Sequence, residues 1–181
     1  VILGVVLGVL MGINKNINSF FYLTLTSIRQ IPMLAWIPLI VLWFGIGETS
    51  KIIVIVLAAF FPILINTISG IKSTDPKLIE VGKMYNLSKL KLFTKIYLPS
   101  AIPSIFVGLK LGLGISWMAV VGAEIIAATS GIGYRINDAR SLMQPEVVFV
   151  GMIVIAIIGL LMEQILNRIS KILTPWMNKK A

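Results

Sequence analysis

Three charged side chains, Arg29, Lys110 and Glu124, stand inside long apolar runs of this 181-residue sequence. None belongs to an evident catalytic set. The chain has no cysteine and no histidine, so thiol nucleophiles, imidazole bases and the usual zinc ligands are all missing. No Ser/Lys pair or carboxylate pair stands out in their place. The chemistry open to these residues is contact with an ion or pairing with one another. A carboxylate within a membrane segment costs about 2.5 kcal/mol or more unless it meets water or a partner. Glu124 therefore either lines a solute path or pairs with Arg135, Arg140 or a neighbouring helix. Pairing is favoured wherever the solute is an anion, which a bare carboxylate would repel. Lys110 lies about two turns inside its segment and can snorkel to the interface. Arg29, just before Pro32, is a candidate anion contact. Trp36, Trp43 and Trp117 either line a path or, as tryptophans in membranes more often do, anchor at interfaces or pack.

The elements that would hold these residues are membrane helices. The composition is 57% hydrophobic and 13% charged, with a mean hydropathy of +0.98. A net charge of +9 would suggest nucleic acid in a soluble protein. Here the cations sit between apolar runs, which points to the positive-inside rule and a lipid membrane instead. A crossing needs about 20 residues. Uncharged windows of 20 residues between Lys51 and Lys72, 18 between Arg29 and Glu48, and 16 between Glu146 and Glu163 meet or approach that length. The second extends backwards to Ile17 and should bend at Pro32 and Pro38. Pro99 to Thr129 forms a further crossing, with Gly108, Gly112 and Gly114 as a small-residue packing face. The opening run "VILGVVLGVLMG" has no basic region before it and no cleavage site after it, and reads as the cut end of a membrane helix. The expected architecture is all-α: a polytopic bundle of about five membrane segments, the first partial, in one domain over 1–181.

Six lysines against Asp75 and Glu80 between Lys72 and Lys95, and Arg168, Lys171, Lys179 and Lys180 without an acid in the tail 166–181, place the loop and the C-terminus in the cytoplasm. A stripe of Ile165, Ile169, Ile172 and Trp176 suggests that the last helix continues along the inner membrane face. In the loop, Asp75-Pro76 and Ser88 read as N-caps of two short helices joined at Asn86, a residue that tolerates the left-handed conformation. Leu78, Val81, Gly82 and Tyr85 share a face of the first helix; Leu90, Phe93 and Tyr97 share one of the second. Leu98-Pro99 should end that second helix. Such a hairpin serves either as a lysine anchor on anionic headgroups or as a rigid docking element. Two caps, a left-handed junction and a proline stop favour docking.

Glu80-Val81-Gly82, Asn86, Ile96 and Leu98-Pro99 resemble the "EAA" signature of permease subunits of ATP-binding-cassette importers: Glu-Ala-Ala, a following Gly, and Ile-x-Leu-Pro. Val81 and Gly82 replace the alanines, and Asn86 the glycine. "IRQIPMLAWIPLIVLWFGIGETSKI" and "GAEIIAATSGIGYRINDAR" are similar to the branch that serves nitrate, taurine, aliphatic sulfonates, bicarbonate or thiamine-precursor pyrimidines. The resemblance implies a type I importer permease with a coupling loop over 72–98, dimerising into a pore for a small anion, with an extracytoplasmic binding protein delivering the solute. It also implies that Glu80, Val81, Gly82, Met84, Tyr85, Asn86, Leu87 and Ser88 contact a cytoplasmic ATPase subunit. That subunit would use the ATP, so this chain would bind no cofactor. Arg29, Trp36 and Glu124 are then candidates for the translocation path. The competing reading is a secondary transporter or channel without an ATPase, against which stand the lack of an inverted repeat and the few intramembrane ionisable groups.

Overall fold

The computed structural model describes residues 1–174, and every regular element among them is helical. The expected stripe residue Trp176 and the tail lysines Lys179 and Lys180 lie outside the described residues. Three helices are long and apolar enough to cross a membrane. They are α4 (Glu48–Lys72), the rod that contains α7 (Leu98–Ala127), and α9 (Pro145–Leu173). α2 (Lys15–Arg29) and α3 (Met33–Phe44) are together long and apolar enough to form a broken span or a re-entrant loop, and α1 (Ile2–Ile13) is a shorter apolar helix. The protein is thus an all-α, multi-pass membrane bundle.

Its centre is built on backbone proximity. Lipid tails are as apolar as leucine, so helices in a membrane gain by close van der Waals contact, and small residues allow it. Along α1, Gly4, Gly8 and Gly12 recur every fourth residue and face Ile63, Thr67 and Ile71 of α4. A methyl at Gly8 would come to 2.6 Å from Thr67 Cβ and 3.0 Å from the Leu64 carbonyl oxygen. α7 runs antiparallel to α4 through a similar seam: Gly70 meets Ala101, Gly108 meets Pro62 and Asn66, and Gly112 meets Ala59. Gly114, expected on the same face, has nothing within 4 Å. It sits two residues beyond Gly112, which on a helix is the opposite side. Buried hydroxyls in this core bond within their own helices, Thr67 to the Ile63 carbonyl and Ser116 to the Gly112 carbonyl, each at 2.7 Å.

The bend expected between Ile17 and Glu48 is a break. α2 and α3 meet at 90° across Gln30, Ile31 and Pro32, because the residue before a proline is driven out of the helical region. Pro32 stands at that turn, and Pro38 lies inside α3. Past the break, Ile37 and Ile40 bury themselves against Val54, Ala58, Ala119 and Ala123, which fixes α3 to α4 and α7.

The proline stop at Leu98-Pro99 is not observed. α6 (Lys89–Leu92), a π turn at Phe93–Tyr97 and α7 form one unbroken helix of 39 residues. The π turn bonds the Leu98 N–H to the Phe93 carbonyl, the i to i+5 spacing, and this looser register lets Pro99 enter without its missing N–H. Beyond α7 lie α8 (Ile132–Ser141) and then α9, which among the described residues buries none of its own side chains.

Candidate functional site

Local chemistry specifies the 75–98 hairpin almost completely. α5 (Pro76–Met84) begins with Pro76 at its first position, and the Asp75 carboxylate accepts the Lys77 N–H at 2.9 Å. At its far end Asn86 sits at φ 51°. The Leu87 N–H reaches the Gly82 carbonyl at 3.1 Å and the Asn86 N–H reaches the Lys83 carbonyl at 2.9 Å. These paired bonds are a Schellman closure, which needs a left-handed residue at that point. Ser88 then caps the next helix through the Lys91 N–H at 3.4 Å. Gly82 is buried where the two helices touch: a methyl there would come to 2.6 Å from the ends of Leu92 and Ile96, and to 3.5 Å from Leu87. Leu92 and Ile96 thus cover Gly82 of the first helix, and of the face shared by Leu90, Phe93 and Tyr97, Leu90 is exposed while Phe93 and Tyr97 are half-buried. Leu87 folds back onto the hairpin. Met84 and Tyr85 project from its tip, 82% and 79% exposed, beside the exposed Glu80, Val81 and Ser88. A small, stiff platform with an apolar point is the result.

In the bundle, Arg29 and Trp36 border one cavity of about 440 Å³, together with Phe61, Asn66 and Leu111. Arg29 also borders a second of about 310 Å³ that extends along α2 and α4 to Asn18 and Lys72. Lys72 donates to the Asn18 side-chain oxygen at 3.2 Å. Glu124 borders neither cavity. It lies in the last turn of α7, where its carboxylate accepts the Gly133 N–H of α8 at 2.9 Å and stands 3.9 Å from Lys51 Nζ of α4. Lys51 also binds Glu48 at 2.9 Å. The expected partners are otherwise engaged or absent: Arg135 approaches Asp138 at 3.9 Å, and Arg140 makes no ion pair among the described residues. Gly131, at φ 120°, leaves the space that the Glu124 carboxylate occupies. Lys51, which sequence reasoning used only to bound an apolar run, is the residue it missed. Its position three residues after Glu48 was the available signal. Trp117 packs across to α9, donating its indole N–H to the Ile155 carbonyl at 3.3 Å beside Gly159. Trp43 is exposed.

A multi-pass bundle with cavities along a broken helix and a stiff hairpin projecting from one end is the build of a membrane permease subunit. Residues 2–179 match the family described as "Binding-protein-dependent transport system inner membrane component", and the chain belongs to that family, whose members are non-catalytic membrane components of transport systems. It is 40% identical, over 97% of its length, to the putative aliphatic sulfonates transport permease protein SsuC of Bacillus subtilis. It is 43% identical over 82% of its length to the taurine transport system permease protein TauC of Escherichia coli, and 44% identical over 81% to the SsuC of that organism. The chain spans 64%, 54% and 57% of the length of these three relatives, respectively.

Proposed function

We propose that this chain lines the membrane pathway of an ATP-driven importer for a small anion of the aliphatic sulfonate or taurine kind. The 75–98 hairpin is its grip on a cytoplasmic ATPase. The Lys72 end of α4 and the C-terminus face the cytoplasm, a placement that the lysine distribution supports. Two copies enclose the path, and an extracytoplasmic binding protein loads it. The observation that carries this reading is the hairpin: double capping, the left-handed Asn86 and the buried Gly82 hold Met84 and Tyr85 outward. Headgroup anchoring alone would need only the lysines. An ATPase subunit with a matching cleft would receive that apolar tip, and Glu80 through Ser88 would border it.

The test is reconstitution of the complete transporter, permease, ATPase and binding protein, in proteoliposomes. ATP hydrolysis should rise on adding the binding protein with taurine or ethanesulfonate. Glu80→Lys and Asn86→Val should abolish that rise while the permease still inserts and purifies. Normal stimulation in both variants, or uptake that proceeds without any ATPase, would sink the reading; the latter outcome would favour a secondary transporter.

A further inference from the structure

The α2–α3 break holds a cation at a depth where membranes rarely tolerate one. Arg29 is the last residue of α2, and in both cavities it shares the wall with Phe61 and Ile65 of α4. Phe61 lies thirteen residues from Glu48 and eleven from Lys72. That is about 16 Å along the axis from the Lys72 end, and Ile65, seven residues from Lys72, is about 10 Å from it; both lie well inside a crossing of roughly 30 Å. The ion pairs formed among the described residues join Lys51 to Glu48 and Glu124, and Arg135 to Asp138. Arg29 takes part in none of them, and it is exposed. A guanidinium at that depth requires water or an anion beside it. The backbone around it is equally telling, because residues 30–32 are non-helical and such a segment persists at membrane depth only where it is buried or lines a cavity.

We propose that Arg29 is the mid-membrane contact for the transported anion. The site rests on the importer reading above for the identity of that anion, a sulfonate. The guanidinium fork suits a sulfonate as it suits a carboxylate or phosphate, with two parallel N–H donors to two oxygens of one group. The larger cavity, about 440 Å³, is within the span of roughly 300–1,000 Å³ usual for small-molecule sites. Trp36 forms its apolar wall. Asn66 stands in the same wall, one amide N–H committed to the Pro62 carbonyl at 2.8 Å and the second left to donate. From Arg29 the smaller cavity runs to Lys72, so an anion released from the first cation meets a second at the far end. Glu124 borders neither space.

These 181 residues contain no cysteine, so a thiol placed at Arg29 is the one reactive thiol among them, and the same reagents applied to the complex with Arg29 intact give the reference. In the complete reconstituted transporter, Arg29→Cys should lower uptake of radiolabelled taurine and ethanesulfonate by about 10- to 100-fold, the range expected for a hydrogen-bonded charge. Reaction with 2-aminoethyl methanethiosulfonate, which restores a positive charge, should recover much of that uptake. The anionic 2-sulfonatoethyl reagent should recover none, and taurine under turnover should slow both modifications. Wild-type uptake by Arg29→Cys would overturn the site, as would equal rescue by both reagents. Rescue by the cationic reagent without protection by taurine would also overturn it, since the charge would then serve packing. A wild-type complex that hydrolyses ATP but accumulates no sulfonate would overturn the substrate reading and this site together.

Discussion

Two corners of this molecule are held in shape by opposite means. In the 75–98 hairpin, every polar contact joins residues close in the sequence: Asp75 with Lys77, Gly82 with Leu87, Ser88 with Lys91. At the other corner, Glu124 of α7 is held by Gly133 of α8 and by Lys51 of α4, 73 positions away. The hairpin closes on the flexible ends of side chains, whereas the Glu124 corner closes on backbone. Local order of the first kind yields to small changes. The second kind does not, because its parts are positioned by whole helices.

The same substitution should therefore have different consequences in the two places. A methyl at Gly133 would come to 2.5 Å from the Val121 carbonyl oxygen and 2.7 Å from Glu124 Cβ, neither of which can swing aside. Gly133→Ala should cost about 3 kcal/mol or more, read as a large fall in the thermal midpoint of the purified protein. Next in size, Glu124→Leu strands the Gly133 N–H and should cost about 1–3 kcal/mol. Glu124→Gln keeps an acceptor in place and should lose less than about 1 kcal/mol, because the ion pair it forgoes is a long one. Equal melting of the two variants would show that charge, not the hydrogen bond, holds the corner. In the hairpin, Asn86→Val forces a β-branched residue into the left-handed region and should cost about 1–2 kcal/mol locally, visible as faster amide exchange over α5. The smallest effect belongs to Gly82→Ala. Its methyl meets only the ends of Leu92 and Ile96, and the helix gains nearly 1 kcal/mol of propensity. The net should fall within about 0.5 kcal/mol of zero, with transport intact; a loss comparable to Gly133→Ala would erase the distinction between the corners.

What could be read from the sequence follows the same division. Asp75, Asn86 and Ser88 were legible because capping and left-handed junctions are decided within a few residues. The long α4 and α9 were legible as uncharged runs. The π turn was not. Leu98-Pro99 carries a stop signal, and only the i to i+5 bond from Leu98 to Phe93 lets the helix continue through it. Nor was the partner of Glu124, since Arg135 and Arg140 are near in sequence while Lys51 is near only after α4 and α7 have packed. The Gly4, Gly8 and Gly12 stripe had a readable period, but its meaning depends on which helix lies opposite. Arg29 stood out as a charge, yet its depth emerges only from the wall it shares with Phe61.

The helix from Lys89 to Ala127 is continuous over 39 residues, about 58 Å at the usual rise. A body of that length has two working ends and one pivot, the π turn. Because α7 is seamed along α4 from Ala101 to Gly112, any displacement of the hairpin beyond the π turn must either be absorbed at that turn or carried by α4 and α7 together. One continuous helix therefore joins the hairpin at its first turns to the corner where Glu124 meets Lys51 and Gly133 at its last.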